Sequence, residues 1–238
     1  MSDKRVRAAF RNRLLSKLSP DDRAAIAEHL EPAALEPRKT LEQRNRAIEH
    51  VYFPESGMIS VVGRSATAPD LDVEINIIGC EGMTGVPVIL GNHRATNQSF
   101  VQIAGEAHAI EADKLRSVLE EREAVHKLFL RYANAFMIQT THTAIANARG
   151  TLEQRLARWL VMAQDRVNST TLPLTHEFLS LMLAVRRPGV TEAVNEFTRK
   201  GLIAHERGAV VMIDRQGLIE IAGGLYGTPE AEYERLLG

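Results

Sequence analysis

The sequence has almost no cysteine, since Cys80 is the only one among 238 residues. A single thiol excludes a disulfide within the chain, and it excludes a cluster held by four thiolates of one chain. We therefore expect no disulfide framework, no iron–sulfur cluster and no other cofactor.

An excess of charge of one sign is also lacking, as are long apolar runs. The chain has 29 basic and 30 acidic residues, so any affinity for a polyanion must come from a local patch. No run is long enough to span a bilayer, and the N-terminal stretch MSDKRVRAAFRNRLL carries charges throughout, unlike a signal peptide. These absences predict a cytoplasmic protein without a membrane partner.

Motifs of catalysis are missing as well. There is no Gly-x-Ser-x-Gly elbow, no phosphate-binding loop and no dinucleotide fingerprint. The eight histidines include no His-x-His or His-x-x-x-His pair at the spacing that metal ligands use. We predict no catalytic residue, no metal site and no enzyme activity.

What the chain does have is a pair of short helical patterns between Leu174 and Ile203. Pro188 suits the start of the second helix, because a backbone N–H there would have no helical partner. The apolar positions repeat three and four apart and are Phe178, Leu179, Met182 and Leu183, then Val190, Val194 and Phe197. The positions left on or beside the outward side are Thr175, His176, Arg186, Arg187, Pro188, Thr191, Glu192, Asn195, Arg199 and Lys200.

These outward residue types suit the major groove of double-stranded DNA. Arginine pairs with guanine, glutamate accepts from cytosine and asparagine pairs with adenine. Side chains of types that more often contact phosphate flank them, namely Thr175, His176, Arg199 and Lys200. After Gly201, residues 205–208 separate two apolar runs, the second ending at Ile213. The segment predicts a winged helix-turn-helix, and the alternative is an ordinary helical hairpin with a solvated charged face.

The N-terminal half has a different texture. Residues 4–30 carry helical patterns with a cap at Ser19, and a strand-rich region of sandwich or barrel type follows. Residues 64–70 are expected to form a hairpin loop. The predicted strands are short runs rich in Val and Ile at 51–53, 58–62, 73–78, 100–103 and 107–110.

Helical periodicity resumes at Ala112 and predicts one long helix over 112–148. Its heptad-like series suits a two-stranded coiled coil, and the alternative is that it packs only against its own barrel. A break at 147–150 and a capping box from Thr151 to Gln154 mark a hinge, and residues 167–173 are expected to be a connector. The predicted seam consists of Leu128, Tyr132, Ala135, Gln139, His142 and Ala146.

This order of parts resembles the CRP/FNR superfamily of bacterial transcription regulators, over nearly the whole chain. The match is best at Leu174–Ile203, where Thr175, Arg187 and the terminal Gly201-Leu202-Ile203 resemble the family pattern. Pro188 replaces the acidic residue that is commoner there.

The resemblance implies the fold and the partners. The expected fold is an α+β chain with a double-stranded β-helix (jelly-roll) sensor domain over 1–111, a dimerisation helix over 112–148 and a winged helix-turn-helix domain over 149–238. A homodimer that binds two-fold symmetric DNA and contacts RNA polymerase is implied as well. By the same resemblance, family members contact bases at the places of Arg187, Thr191 and Glu192.

The cassette that holds ribose and phosphate in cyclic-nucleotide-binding relatives is incomplete here. Val86 occupies the place of the ribose-binding glutamate. Arg94 lies three residues before the place of the phosphate arginine, at Asn97, and a shorter turn after Gly91 is the alternative that would restore it. We therefore expect an effector other than cyclic AMP.

The candidate effector pocket comprises Gly85, Val86, Pro87, Arg94, Ala95, Thr96 and Asn97. Two alternatives stay open from the sequence. One is a regulator that needs no ligand because Val86 and Pro87 fill the pocket. The other is a cupin-like, metal-dependent barrel enzyme with an appended helical region.

Overall fold

The computed structural model describes residues 10–63 and 72–238. The predicted hairpin loop at 64–70 and the start of the predicted helical segment at 4–30 lie outside the described residues. The strands are β1 Glu31–Leu35, β2 Thr40–Glu42, β3 His50–Pro54, β4 Met58–Gly63, β5 Val73–Ile78, β6 Gln98–Ile103, β7 Gly105–Glu111, β8 Thr171–Leu172, β9 Ile203–Glu206 and β10 Ala209–Met212. The helices are α1 Arg13–Ser16, α2 Pro20–Ala27, α3 Val86–Ile89, α4 Ala112–Glu121, α5 Glu123–Arg149, α6 Leu152–Val167, α7 His176–Met182, α8 Arg187–Arg199, α9 Arg215–Ala222 and α10 Thr228–Leu237.

The N-terminal strands form two sheets, with strand orders β1-β7-β3 and β2-β6-β4-β5. In the first, β7 pairs antiparallel with both neighbours, which sets Ala109 opposite Glu31 and Tyr52. In β3 the buried Val51 and Phe53 alternate with more exposed residues, as expected when one face of a strand packs on a core. The strand-rich prediction is confirmed.

Two strands and one short helix of the N-terminal half went unpredicted. The β1 sequence EPAAL lacks β-branched residues and contains proline, which the edge position of β1 tolerates. The three-residue β2 is too short to show alternation. Helix α3 begins after Gly85, whose φ of 74° is a left-handed conformation that glycine adopts without strain.

The helix predicted over 112–148 is in fact two helices that meet at Arg122, whose φ of -124° and ψ of 82° are not helical. The apolar period continues across the break and therefore did not show it. Charge supplies the physical reason, because Glu120 and Glu121 meet the negative C-terminal end of the α4 dipole, whereas Glu123 meets the positive N-terminal end of α5. The second helix, α5, has 27 residues and is about 40 Å long.

The predicted dimer seam on α5 also requires correction. The seam residues Tyr132, Ala135, Gln139 and Ala146 are buried within the single chain. Tyr132 donates a hydrogen bond from Oη to the Met83 carbonyl oxygen at 3.0 Å. The alternative that this stripe packs against its own chain is thus the better description for these four, while Leu128 and His142 are half-buried.

Another stripe of α5 carries the exposed apolar side chains. Leu130 is 39% exposed, Met137 51% and Ile145 44%, and Leu130 and Met137 are one heptad apart. Asn134 and Thr141 are exposed on the same face and are also one heptad apart. The exposed stripe of α5 is therefore Leu130, Asn134, Met137, Thr141 and Ile145. It lies on a different side of the helix from the predicted dimer seam.

The chain divides into two compact units. Among the described residues, one contains 10–61 and Ile77–Phe136, and the other contains 62–63, 72–76 and Met137–Leu236. The predicted domain boundaries remain predictions.

Helix α6 is anchored within the second unit by polar side chains as well as apolar ones. Trp159 donates a hydrogen bond to Glu74, and Arg158 donates to the Leu225 carbonyl oxygen at 2.9 Å. Burial lowers the pKa of Arg158 to about 10, which still leaves it charged at neutral pH.

The local caps and breaks that the sequence predicted are present. Ser19 caps α2, and its hydroxyl accepts from Asp22 N–H at 3.2 Å. Helix α5 ends at Arg149, and Thr151 and Gln154 form the reciprocal capping box before α6, with N–H···O distances of 3.0 and 3.3 Å. The predicted connector at 167–173 contains β8, which joins the sheet β8-β10-β9. No helix in the described residues is long and apolar enough to cross a membrane.

Candidate nucleic-acid interface

Helices α7 and α8 form the two halves of the predicted helix-turn-helix. Thr175 caps α7, and its hydroxyl accepts from Phe178 N–H at 3.2 Å. The turn between the helices contains Ala184 with a φ of 50°, a conformation that is uncommon outside glycine. Helix α8 begins at Arg187, one residue before Pro188, so the proline lies in the first helical turn.

The inner face of α8 is apolar and tightly held. Val190, Val194 and Phe197 have no exposed surface. A Cβ on Gly189 would come within 3.3 Å of Leu152 in α6. Gly189 therefore lies where α8 approaches α6. This packing fixes the rotation of α8 and therefore which side chains face outward.

The outer face of α8 is a shallow groove with a volume of about 620 Å³. It brings together most of the predicted base-contacting residues, and Arg186 is exposed just before it as the residue preceding the helix. The side chains that line the groove are Arg187, Pro188, Thr191, Glu192, Asn195, Glu196 and Arg199.

Two predicted phosphate contacts are paired within the chain. Arg199 Nε donates to Glu196 Oε2 at 3.0 Å, and Lys200 Nζ lies 3.3 Å from Glu196 Oε1. These hydrogen bonds lower the pKa of Glu196, so it is ionised at neutral pH. Glu196 was absent from the sequence prediction, and it holds negative charge on the face that would meet phosphate.

His176, predicted from the sequence as a phosphate contact, is half-buried and interacts with two side chains of its own chain. Its Nδ1 lies 3.0 Å from Thr191 Oγ1, and its Nε2 is buried without a partner. Its ring lies against that of His205 in β9, with centroids 4.6 Å apart. Burial is the main cause that lowers the pKa of His176, and the charges of His205 and Arg187 lower it further.

Strands β9 and β10 form the wing, Ile203–Met212. Glu206 pairs with Ala209 across a two-residue turn of Arg207 and Gly208, and Gly208 has a φ of 78°. Arg207 is exposed at the tip. The sequence predicts the wing but Arg207 was not among the predicted contacts, although an arginine beside a turn glycine is visible in the sequence.

The candidate effector pocket differs from a nucleotide cassette in the placement of its cation. Val86 and Ala95 are buried, whereas Arg94 and Thr96 are exposed. The Arg94 backbone N–H donates to Asn92 Oδ1 at 3.0 Å, which holds the residue in a surface turn. The arginine proposed for phosphate is therefore at the surface.

A buried carboxyl group lies beside the first residue of the candidate pocket. Gly85 N–H donates to Glu42 Oε1 at 2.7 Å, and Ser99 Oγ donates to the other oxygen of Glu42. Burial raises the pKa of Glu42, and the hydrogen bonds from Ser99 and Gly85 oppose that effect. Sequence reasoning missed Glu42, because it lies far from Gly85 along the chain.

A metal site would need several ligating side chains close together in the part of the chain that the structure describes. There, no three His, Cys, Asp or Glu side chains are grouped so that they could hold a metal ion.

Comparison with known proteins supports this description of the fold. Residues 154–221 match the model of the Crp-like helix-turn-helix domain. No curated protein matches the chain. A CRP-family transcriptional regulator of Thermus thermophilus has a similar structure, with a TM-score of 0.66, 19% identity and coverage of 81% of this chain and 97% of that one.

Two further solved structures are similar. A crp/fnr-family putative transcriptional regulator of Eubacterium rectale gives a TM-score of 0.62 at 16% identity, covering 88% of this chain and 97% of its own. The c-di-GMP-responsive global regulator CLP of Xanthomonas campestris gives 0.65 at 14% identity, covering 82% and 99%. At these identities the likeness establishes the fold, and the predicted fold class is confirmed.

Proposed function

We propose that this chain, which carries a Crp-like helix-turn-helix domain and has the fold of CRP/FNR transcription regulators, is a dimeric regulator that binds a two-fold symmetric DNA site. The observation that carries the proposal is the outer face of α8. Its inner side is fully buried, and its outer side presents Arg187, Glu192 and Asn195 together. These side chains can pair with base edges in the major groove.

Dimerisation is proposed to use the exposed stripe of α5 and a second copy of the chain. Large apolar side chains at Leu130, Met137 and Ile145 leave water when two such helices pair. Asn134 lies between them, and a single asparagine in an apolar seam favours one register of the paired helices. Thr141 satisfies its own hydroxyl, since Oγ1 donates to the Met137 carbonyl oxygen at 3.0 Å. A two-fold dimer then presents two copies of α8 to half-sites about 34–36 Å apart.

Charge around the outer face of α8 is suited to phosphate. Arg186, Arg199 and Lys200 are exposed around α8, and Arg207 is exposed at the wing tip. These cations would position the helix without reading sequence, while Arg187 at the helix start reads a base. RNA polymerase is proposed as a further partner on the family resemblance alone, and a regulator of this kind acts beside the chromosome in the cytoplasm.

The effector is proposed to be something other than cyclic AMP. The backbone N–H of Gly85 already donates to Glu42, so it does not offer a hydrogen bond to a phosphate. Arg94, the arginine that the sequence offered for a phosphate, is exposed on the surface. We propose no enzymatic activity and no iron–sulfur cluster, and within the described residues no cluster of metal ligands favours the cupin-like alternative.

The DNA-binding proposal is tested with Arg187→Ala. The operator is first selected from random DNA with the full-length protein, and affinities are then measured for single-base variants of that operator. Loss of Arg187 should weaken binding by about 1 to 3 kcal/mol and relax preference at one position per half-site. Arg186→Ala is the matched control, and it should weaken binding to all sequences about equally.

Unchanged affinity and preference in Arg187→Ala would show that Arg187 does not read a base. Absence of any salt-sensitive DNA binding by the wild-type protein would refute the proposed function itself. For the effector, calorimetry with cyclic AMP should detect no micromolar binding. Stoichiometric binding that also tightened DNA binding would contradict the proposal.

A further inference from the structure

The Thr191 hydroxyl, on the outer face of α8, is already committed within the chain. Its Oγ1 donates to the Arg187 carbonyl oxygen at 3.1 Å, in the preceding turn of α8. The same oxygen lies 3.0 Å from Nδ1 of His176. A threonine hydroxyl has only one proton, and the Arg187 carbonyl accepts it. With the hydroxyl proton assigned to the Arg187 carbonyl, Nδ1 of His176 is assigned as the protonated donor to Thr191 Oγ1.

His176 is held in the orientation that this hydrogen bond requires. It is the first residue of α7, and its ring lies at 40° to that of His205 with centroids 4.6 Å apart. The neighbouring charged or titratable groups are His205 of β9 and Arg187 of α8. In the neutral ring the proton is on Nδ1, and in the charged ring Nδ1 is also protonated, so the bond to Thr191 persists in both states.

These bonds limit what Thr191 can offer to a base. A free threonine hydroxyl donates to or accepts from several bases and so discriminates poorly between them. Here its proton is used, and one of its lone pairs is used. What remains is one lone pair, which can only accept, and the Cγ2 methyl of a side chain that lines the same groove as Arg187, Glu192 and Asn195. Among the four bases, only thymine presents a methyl group in the major groove.

We propose that Thr191 determines specificity through its methyl group, by apolar contact with the 5-methyl of thymine, and that His176 is the positioning residue that keeps the hydroxyl away from the bases. This inference rests on the proposed function, since it assumes that α8 enters the major groove. The wing takes part because His205 supports the His176 ring.

The test removes the thymine methyl without changing base pairing. In the operator selected with the full-length wild-type protein, each thymine is replaced in turn by deoxyuridine. At one position per half-site the replacement should weaken binding about fourfold, which is the effect of removing one buried apolar carbon. Replacement of the same thymine by 5-methylcytosine, opposite guanine, should keep more affinity than replacement by cytosine.

Variants of Thr191 separate the methyl from the hydroxyl. Thr191→Val keeps a methyl and should retain both the thymine preference and the uracil effect. Thr191→Ser keeps the hydroxyl and should lose the uracil effect at that position only. His176→Asn retains a donor at the place of Nδ1 and should behave as wild type, whereas His176→Ala frees the hydroxyl and should broaden preference at the same position.

Uracil effects within twofold at every thymine would overturn the inference, as would a changed base preference in Thr191→Val. Equal behaviour of His176→Asn and His176→Ala would overturn the role of His176. Each of these results is obtained with a protein that still binds its operator. Failure of the proposed function differs from them, because the wild-type protein would then select no DNA at all.

Discussion

At the residue scale, Glu196 determines how much positive charge the outer face of α8 offers to DNA. Its carboxylate forms ion pairs with Arg199, three residues further along α8, and with Lys200, just after the end of the helix. Solvent-exposed ion pairs of this kind contribute little to stability, so DNA can compete for both cations. We therefore expect Glu196 to weaken the proposed phosphate binding while contributing little to the stability of the fold.

Glu196→Gln should tighten binding to DNA of any sequence by a few-fold and steepen its dependence on salt. The cause is the release of Arg199 and Lys200 for phosphate. The measurement is a series of affinities at increasing salt on the operator and on unrelated DNA. Glu232→Gln is the matched control, because Glu232 pairs with Arg235 in the same way on α10.

Glu196→Gln should leave the ratio between operator and unrelated DNA nearly unchanged, since phosphate contacts carry no sequence information. A changed ratio would mean that Glu196 itself meets a base. Equal effects of the Glu196 and Glu232 substitutions would mean that the gain is only one of overall charge.

Glu42 is the other residue whose charge has a measurable consequence. Burial raises its pKa in the folded protein, so the folded state binds more protons than the unfolded state above about pH 4.5. The contribution of Glu42 to the free energy of unfolding must therefore decrease as the pH rises from 4.5 through the folded pKa. Below about pH 4.5 Glu42 is protonated in both the folded and the unfolded protein, and its full contribution to the free energy of unfolding is present.

Glu42→Gln should flatten this part of the pH profile, because glutamine accepts the Gly85 hydrogen bond without taking up a charge. Denaturant titrations between about pH 4.5 and pH 8 measure the effect on the free energy of unfolding. The exposed Glu36→Gln serves as control and should follow the wild-type profile. A wild-type profile that rises with pH, and rises less in Glu42→Gln, would contradict the assignment.

At the scale of elements, sequence patterns located most of the fold but not every face. The run Val73–Ile78 gave a strand at the observed bounds, and Thr151 with Gln154 gave the observed cap. Local signals suffice in these places because the residues that decide the structure are adjacent. The break at Arg122 was invisible because the apolar period of α4 and α5 continues through it.

Which side of a helix is buried can depend on residues that are distant in sequence, and the local sequence pattern then does not predict it. The buried side-chain amide of Gln139 is satisfied by hydrogen bonds with Asn76 and Arg166. Neither residue is near Gln139 along the chain. His176 fits a surface contact by type, yet Thr191 and His205 turn it inward.

The outer face of α8 is the case in which a face was predicted correctly. Arg187, Glu192 and Asn195 lie outward as predicted. The reason is local, because the fully buried Val190, Val194 and Phe197 are spaced along the same helix and fix its rotation.

The exposed stripe of α5 leads to a prediction at the scale of elements. Met137→Lys should shift the protein from dimer to monomer, because a charge would have to leave water in the middle of the apolar stripe. Sedimentation or light scattering at micromolar concentrations measures the change. Asn147→Lys is the control, as it adds the same charge to an exposed position on another side of α5.

A monomer of unchanged stability is the expected result for Met137→Lys. A dimer that survives this substitution but dissociates in Gln139→Lys would restore the original seam. Since Gln139 is buried within the chain, that variant is compared only where its far-ultraviolet circular dichroism matches the wild type.

At the scale of the whole molecule, a net charge of -1 must be reconciled with the proposed binding to DNA. The cations concentrate locally, with Arg186, Arg199, Lys200 and Arg207 exposed around α8 and the wing. Four per protomer make eight per dimer, and each phosphate contact releases counterions from DNA. The affinity of a dimer for a two-fold DNA site should therefore depend on salt concentration through the phosphate contacts of both protomers.

The logarithm of the binding constant should fall with the logarithm of salt concentration. For the wild-type dimer on its operator the slope should lie between about -4, if only Arg186 and Arg207 of each protomer contact phosphate, and about -7, if Arg199 and Lys200 contact it fully as well. Met137→Lys should give about half that slope on a single half-site, because one protomer contacts half as many phosphates. Fluorescence anisotropy between low and physiological salt measures both slopes, with Asn147→Lys as the charge-matched dimer. A wild-type slope no steeper than that of the monomer would mean that only one protomer contacts DNA, and the two-fold arrangement would then be wrong.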